Sequence, residues 1–151
     1  MSESIEVVVT HPFQASAERV YDAWLDPQKV RAWLAAALRS LGLSGEIGRV
    51  EIDATVGGAF LFSDMREGVE AKHWGTYLEF ERPEKIVFTW WTPESENDSI
   101  SRVALVLEPQ GEGCVATITH HMDVRWAEDV DKAESGWSCM LAACGELLGS
   151  D

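Results

Sequence analysis

Between Asp129 and Ser150 the apolar residues Val130, Trp137, Met140, Leu141, Cys144, Leu147 and Leu148 recur at spacings of three, four and seven. That period belongs to a helix with one buried face. Asp129, Asp131, Lys132, Glu134, Ser138 and Glu146 fall mostly off that face. Most of the chain before it keeps a period of two. β-Branched and aromatic residues alternate with polar ones, which predicts strands over Ile5–Phe13, Glu46–Ala54, Ala59–Met65, about Glu70–Phe80, Lys85–Trp91, Ile100–Glu108 and Cys114–Val124. Val56-Gly57-Gly58, Arg66-Glu67-Gly68, Arg82-Pro83-Glu84 and Pro109-Gln110-Gly111-Glu112-Gly113 supply turns. Two short helices follow the first strand. Ser16 caps one over Ala17–Leu25. Asp26-Pro27 ends it and opens another over Gln28 to about Leu38, with Val30, Trp33, Leu34 and Ala37 on its apolar side.

The order is therefore strand, two helices, six strands, long helix. Strands joined by short turns are antiparallel, and period-two alternation leaves one face of the sheet for a helix to cover. The expected class is α+β, one domain over residues 1–151, with a strongly curved antiparallel sheet around the C-terminal helix. One helix of modest girth does not fill the concave face of such a sheet, so a cavity is expected between them.

Composition narrows the partners. The formal net charge of -14 disfavours phosphate backbones and anionic lipid, so neither nucleic acid nor a membrane is expected as partner. The apolar runs are too short to span a bilayer. Met1 to Glu6 has no basic region followed by an apolar stretch, and so does not read as a signal peptide. The expected location is the cytoplasm. Cys114, Cys139 and Cys144 are odd in number and lack a CxxC spacing, as reduced thiols would.

Ordered pieces of the chain carry a resemblance. They are Ala15-Ser16-Ala17-Glu18-Arg19-Val20-Tyr21-Asp22-Ala23-Trp24; Asp26-Pro27 with Trp33; Asp53 and Val56-Gly57-Gly58-Ala59-Phe60; and Gly75-Thr76-Tyr77-Leu78-Glu79. Pro83, Ile86-Val87-Phe88-Thr89-Trp90, Thr117-Ile118-Thr119-His120 and Gly136-Trp137 follow. Together they resemble the helix-grip superfamily of START and Bet v 1-like (SRPBCC) domains. Within it they are similar to the activator of heat-shock protein 90 ATPase homologue family. The resemblance implies a seven-stranded antiparallel sheet gripping the last helix, with a cavity between. It implies no single activity, since the superfamily includes lipid and hormone carriers, aromatase/cyclase enzymes and ring-hydroxylating subunits. The co-chaperone itself carries a further N-terminal domain, whereas this chain opens on the first strand of the fold. A chaperone and a second copy of the chain remain open as partners.

Candidate chemistry concentrates on the concave face. Seven Trp is a high count for this length. Trp33, Trp74, Trp90 and Trp137 come from four elements, and Phe60, Phe62, Tyr77, Phe88, Met122, Met140, Leu141 and Cys144 complete the expected cavity wall. Parity places Trp90 inside and Trp91 outside, and His120 inside and His121 outside. An inward His120 is either a hydrogen-bonded core residue or an acid/base group, with Tyr77 or Asp64 as a second polar group. Asp53 and Asp64 read as solvated strand-end acids or as a carboxylate pair. Arg102 reads as an outward residue that pairs with Glu79 or with a ligand carboxylate. No HxH, HExxH, phosphate-loop or nucleophile-elbow spacing occurs, so no metal and no cofactor is expected. The leading expectation is a binding protein for a small apolar or aromatic molecule. The alternatives are a cyclase- or hydrolase-type enzyme using His120, and an interaction module presenting Trp91, Trp126 and the loop Pro93–Asp98. Trp137 is expected near Phe88 and Trp90, with Gly136 beside it marking a close approach to a strand.

Overall fold

The computed structural model describes residues 4–92, 101–123, 128 and 130–149. Trp126, the loop Pro93–Asp98 and Asp129 lie outside them. Strand β1 (Ser4–Phe13) leads into helices α1 (Ala17–Ala23) and α2 (Pro27–Ser40). Five strands follow, β2 (Ile47–Ile52), β3 (Ala59–Arg66), β4 (Val69–Glu81), β5 (Lys85–Thr89) and β6 (Arg102–Gln110). Then come β7 (Gly113–Asp123) and helix α3 (Val130–Gly149). All the pairings are antiparallel. The order across the sheet is β1-β7-β6-β5-β4-β3-β2, an open sheet with β1 and β2 at its edges.

The caps form as the sequence dictates. Ser16 Oγ accepts from Arg19 N at 3.3 Å, and Asp26 Oδ1 accepts from Gln28 N at 2.9 Å, each satisfying a donor the first helical turn leaves without a partner. One turn is tighter than expected. Pro109 belongs to β6, in register with Cys114, and Gly111-Glu112 alone joins Gln110 to Gly113. Gly111 has φ 61°, the conformation that lets a two-residue hairpin match strand twist. Pro109 lies beyond Val106, where the β5 pairing ends, so one side of the strand has no ladder there for its missing N–H to break.

The concave face and α3 share one core. Its fully buried side chains include Val7, Val103, Leu105, Leu107, Ile118, Leu141 and Leu148. The second half of α3 lies close on the sheet. A Cβ on Gly145 would meet His11 Nε2 at 3.3 Å and Phe13 at 3.4 Å, so this is the glycine that permits close approach. Gly136 does not serve that purpose, contrary to expectation, because a Cβ there would have open space around it. The far end of α3 is also held by α1, whose Arg19 Nη2 donates to Leu148 O at 3.0 Å, a favourable place for a cation on a helix's last carbonyls.

Candidate functional site

Where the first half of α3 passes over the sheet, the layers separate. They leave a groove of about 970 Å3, at the upper end of the ~300–1,000 Å3 usual for small-molecule sites. One wall is α2 and the segment after it, through Leu34, Leu38, Leu41 and Leu43. The other is α3, through Asp131, Lys132, Ala133, Ser135, Gly136, Trp137 and Met140. The floor is the sheet, with Phe62, Ser63, Asp64, Arg66, His73, Trp90, Thr92, Ser101, His120 and Met122.

Aromatic rings build the floor because parity puts them there. Phe60 and Phe62 alternate inward on β3, and Phe62 stands opposite His73 on β4. His73 stacks on Trp90 with centroids 5.2 Å apart. Trp90 in turn meets Trp137 at 4.9 Å, in an edge-on contact, and Phe88 lies 6.5 Å from Trp137. Trp137 is 3% exposed, so the helix is turned with this ring between itself and the sheet.

Trp137 also fixes His120. Its indole N–H can only donate, and it lies 3.1 Å from His120 Nδ1. Nδ1 therefore accepts, which places the proton of the neutral ring on Nε2. Ser101 Oγ lies 3.2 Å from Nε2 and accepts from it, while the Ser101 hydroxyl donates to Trp90 O. The chain Trp137, His120, Ser101, Trp90 is satisfied at each link, and its histidine is only 6% exposed. Tyr77, one expected polar partner, is not brought to it. Tyr77 faces a separate gap of about 10 Å3, shared with Trp24, Leu25, Phe60, Phe62, Ile86 and Phe88, about the size of one water. Burial, and then the negative charge of Asp53, push its hydroxyl well above the usual phenol range.

Asp53 and Asp64 are not a pair. Asp53 is near the Ile52–Phe60 end of the β2–β3 ladder and accepts from Thr55 Oγ1 at 3.1 Å, whereas Asp64 is near the Ile47 end. Asp64 is not a solvated strand end either. Its side chain is 3% exposed and is bound by Arg66 through Nε at 2.7 Å and Nη2 at 3.2 Å. Glu79 pairs with Lys85 at 3.3 Å, not with Arg102.

Of the residues expected in the cavity wall, Phe62, Trp90, His120, Met122, Trp137 and Met140 line the groove. Phe60, Tyr77 and Phe88 stand behind it around the small gap. Trp33, Leu141 and Cys144 are core residues away from it. Trp33 packs on Trp24 with centroids 4.6 Å apart and donates to Ala23 O at 3.0 Å. Burial lifts the Cys144 thiol to about 12, against a smaller lowering from the Trp24 indole N–H directed at its sulfur; that N–H has no partner meeting full hydrogen-bond geometry. Trp74 is a correction. Its neighbour His73 faces the groove and consecutive strand residues face opposite ways, so Trp74 lies on the outer face, bridged through its backbone to Trp91. The leucines of the α2 wall, Arg66, His73 and Ser101 were missed as site residues. The period of α2 had marked Leu34, but not which apolar side chains remain uncovered.

Among the described residues no group of three or more His, Cys, Asp or Glu is placed to hold a metal ion. No described helix is long and apolar enough to cross a membrane.

Residues 14–149 match the family model described as Activator of Hsp90 ATPase homolog 1-like protein. The chain belongs to this family. Solved structures similar to it include protein CV1439 of Chromobacterium violaceum, at 24% identity and TM-score 0.72, covering 94% of this chain and 95% of that one. Protein SA2116 of Staphylococcus aureus, described as of unknown function, is similar at 16% identity and TM-score 0.77, with 99% and 96% covered. CalU16 of Micromonospora echinospora is similar at 21% and 0.65, with 96% and 75% covered. These likenesses establish the helix-grip fold. No curated protein matches the chain.

Proposed function

We propose that this family member binds a small apolar or aromatic molecule in the groove between α3, α2 and the sheet, without chemistry on it. The observation that carries the reading is the groove itself, large enough for such a molecule and walled by Leu34, Leu38, Leu41, Trp90, Trp137 and Met140. Its central polar groups favour binding over catalysis. His120 has one ring nitrogen bonded to Trp137 and the other to Ser101 and is 6% exposed, as a hydrogen-bonded core histidine is. Cys114, Cys139 and Cys144 as free thiols suit a reducing compartment, and we place the protein in the cytoplasm. The family name raises a chaperone partner. Among the described residues the exposed large apolar ones, Val8, Leu41, Val56 and Val69, come from different elements, which offers less support for a docking surface than the groove does for a ligand.

The test is uptake of a neutral apolar dye by the native protein, followed by its displacement from a metabolite library. Saturable uptake and a rise in melting temperature with the displacing compound are expected. A protein that takes up no dye and whose melting temperature no compound moves would contradict the reading.

A further inference from the structure

The apolar walls do not account for Asp64 and Arg66. Phe60, Phe62 and Asp64 alternate onto the concave face of β3, so a carboxylate stands where the pattern has supplied aromatics. A carboxylate so enclosed, 2% exposed, is costly unless paired. Its partner Arg66 is two residues along the same strand and so on the same face.

The pairing uses Nε and Nη2 of the guanidinium. Five N–H donors are available in that group, and among the described residues Arg66 donates through them to no acceptor but Asp64. The side chain is 41% exposed and lines the groove. Asp64 thus holds the plane of the fork, and the unused donors remain for something that enters. The other formal charges on the lining, Asp131 and Lys132, cancel each other, as do Asp64 and Arg66. The groove is locally neutral in a chain of net charge -14. A planar fork of donors matches a carboxylate or a phosphate bidentately, and the locally neutral groove favours the singly charged carboxylate over a more highly charged phosphate monoester.

We infer that the ligand of the groove is a carboxylate amphiphile, with its head on Arg66 and its apolar body along Leu34, Leu38 and Trp137. The inference rests on the groove reading above and narrows its ligand class. Asp64 holds the Arg66 guanidinium in place.

The experiment is displacement of a neutral apolar dye at neutral pH by dodecanoate, dodecan-1-ol and dodecylamine, each below its micellar concentration. Dodecanoate should bind about tenfold more tightly than the alcohol, and the amine no better than the alcohol. In Arg66→Gln the ratio of acid to alcohol affinity should fall to about one. In Arg66→Lys it should be intermediate, because an ammonium is a point charge and not a fork. Asp64→Asn keeps the guanidinium and removes the charge that cancels it, so the ratio should not fall below the parent's. Arg82→Gln, which removes the surface pair with Asp22 and the guanidinium over the Tyr21 ring, both outside the groove lining, should leave the ratio unchanged. Should Arg66→Gln fail to fold with Asp64 unpaired, the Asp64→Asn/Arg66→Gln double variant removes both charges and must show the same loss. Equal binding of acid and alcohol to the parent protein would overturn the inference while leaving the groove reading standing. So would a preference that survives in the folded Arg66 variants. Displacement by none of the three probes would overturn the inference alone, and failure of the dye itself to bind would overturn both.

Discussion

At the scale of single residues, Trp137 does two things at once. Its ring fills the space between α3 and the sheet, and its N–H selects the tautomer of His120. The two roles separate by substitution. Trp137→Ala should cost ~3–5 kcal/mol, as truncation of a buried aromatic does. Trp137→Phe keeps most of the ring and removes the N–H from which His120 Nδ1 accepts, for a loss of ~1–3 kcal/mol. Urea unfolding of the variants checks both, and an alanine variant as stable as the parent would mean that α3 is rotated differently. The glycines of α3 give a second comparison. Gly136 has open space where a Cβ would be, and Gly145 has His11 and Phe13. Gly136→Ala should stabilise by up to ~1 kcal/mol through helix propensity, and Gly145→Ala should be the less stable of the two. The reverse ranking in the same unfolding experiment would place the close approach at the wrong end of the helix. The thiols divide as well. Cys114 and Cys144 are buried with their thiols pushed up by burial, Cys144 to about 12, whereas Cys139 is partly exposed. A thiol reagent should therefore label Cys139 first in the native protein and all three after unfolding. Early labelling of Cys144 would count against its packing.

At the scale of elements, the open edge of the sheet carries a charge-linked clamp. Arg49 on β2 reaches Glu70 on β4 through Nε at 2.8 Å and Nη2 at 2.9 Å, and Ser63 Oγ on β3 donates to the same carboxylate. These bonds, Arg49's first, hold the Glu70 carboxyl down to about 2 against an ordinary 4.5. A depressed carboxyl contributes stability that is complete above its unfolded value and is lost as pH falls through its folded one. The contribution should thus fade between pH 4.5 and 2. Glu70→Gln should flatten that part of the stability-against-pH curve relative to the parent, and identical acid limbs would show that the clamp contributes nothing. Strand periods made the elements themselves legible, and the helix caps at Ser16 and Asp26 marked where α1 and α2 begin. What sequence periods did not carry was the extent of contact. Pro109 and Gln110 looked like turn residues because Pro usually leaves a ladder, but β5 ends before reaching them. Trp74 looked like wall because it is aromatic, while the parity of its own neighbour His73 points it outward.

At the scale of the whole molecule, the order of elements was legible because it depends on alternation and turns, which are local. The groove was legible only in outline. Trp90, His120, Met122 and Trp137 follow from parity and helix phase, but the leucines of α2 become groove wall only because the first half of α3 stands off from the sheet. Asp64 and Arg66 were present as a same-face pair at i and i+2, a pattern that reads equally as two solvated residues until burial is known. The central claim is that a small apolar molecule occupies the space so formed. The tryptophans are built-in reporters of it, and the decisive measurement is the NMR spectrum of their indole N–H groups during titration with a neutral apolar probe such as naphthalene. Trp90 and Trp137 line the groove, whereas Trp24 and Trp33 are buried away from it. The Trp90 and Trp137 signals should shift together and saturate while those of Trp24 and Trp33 hold still. If the Trp90 and Trp137 signals do not move up to the solubility of the probe, or if only tryptophans outside the groove respond, the groove is not a binding site.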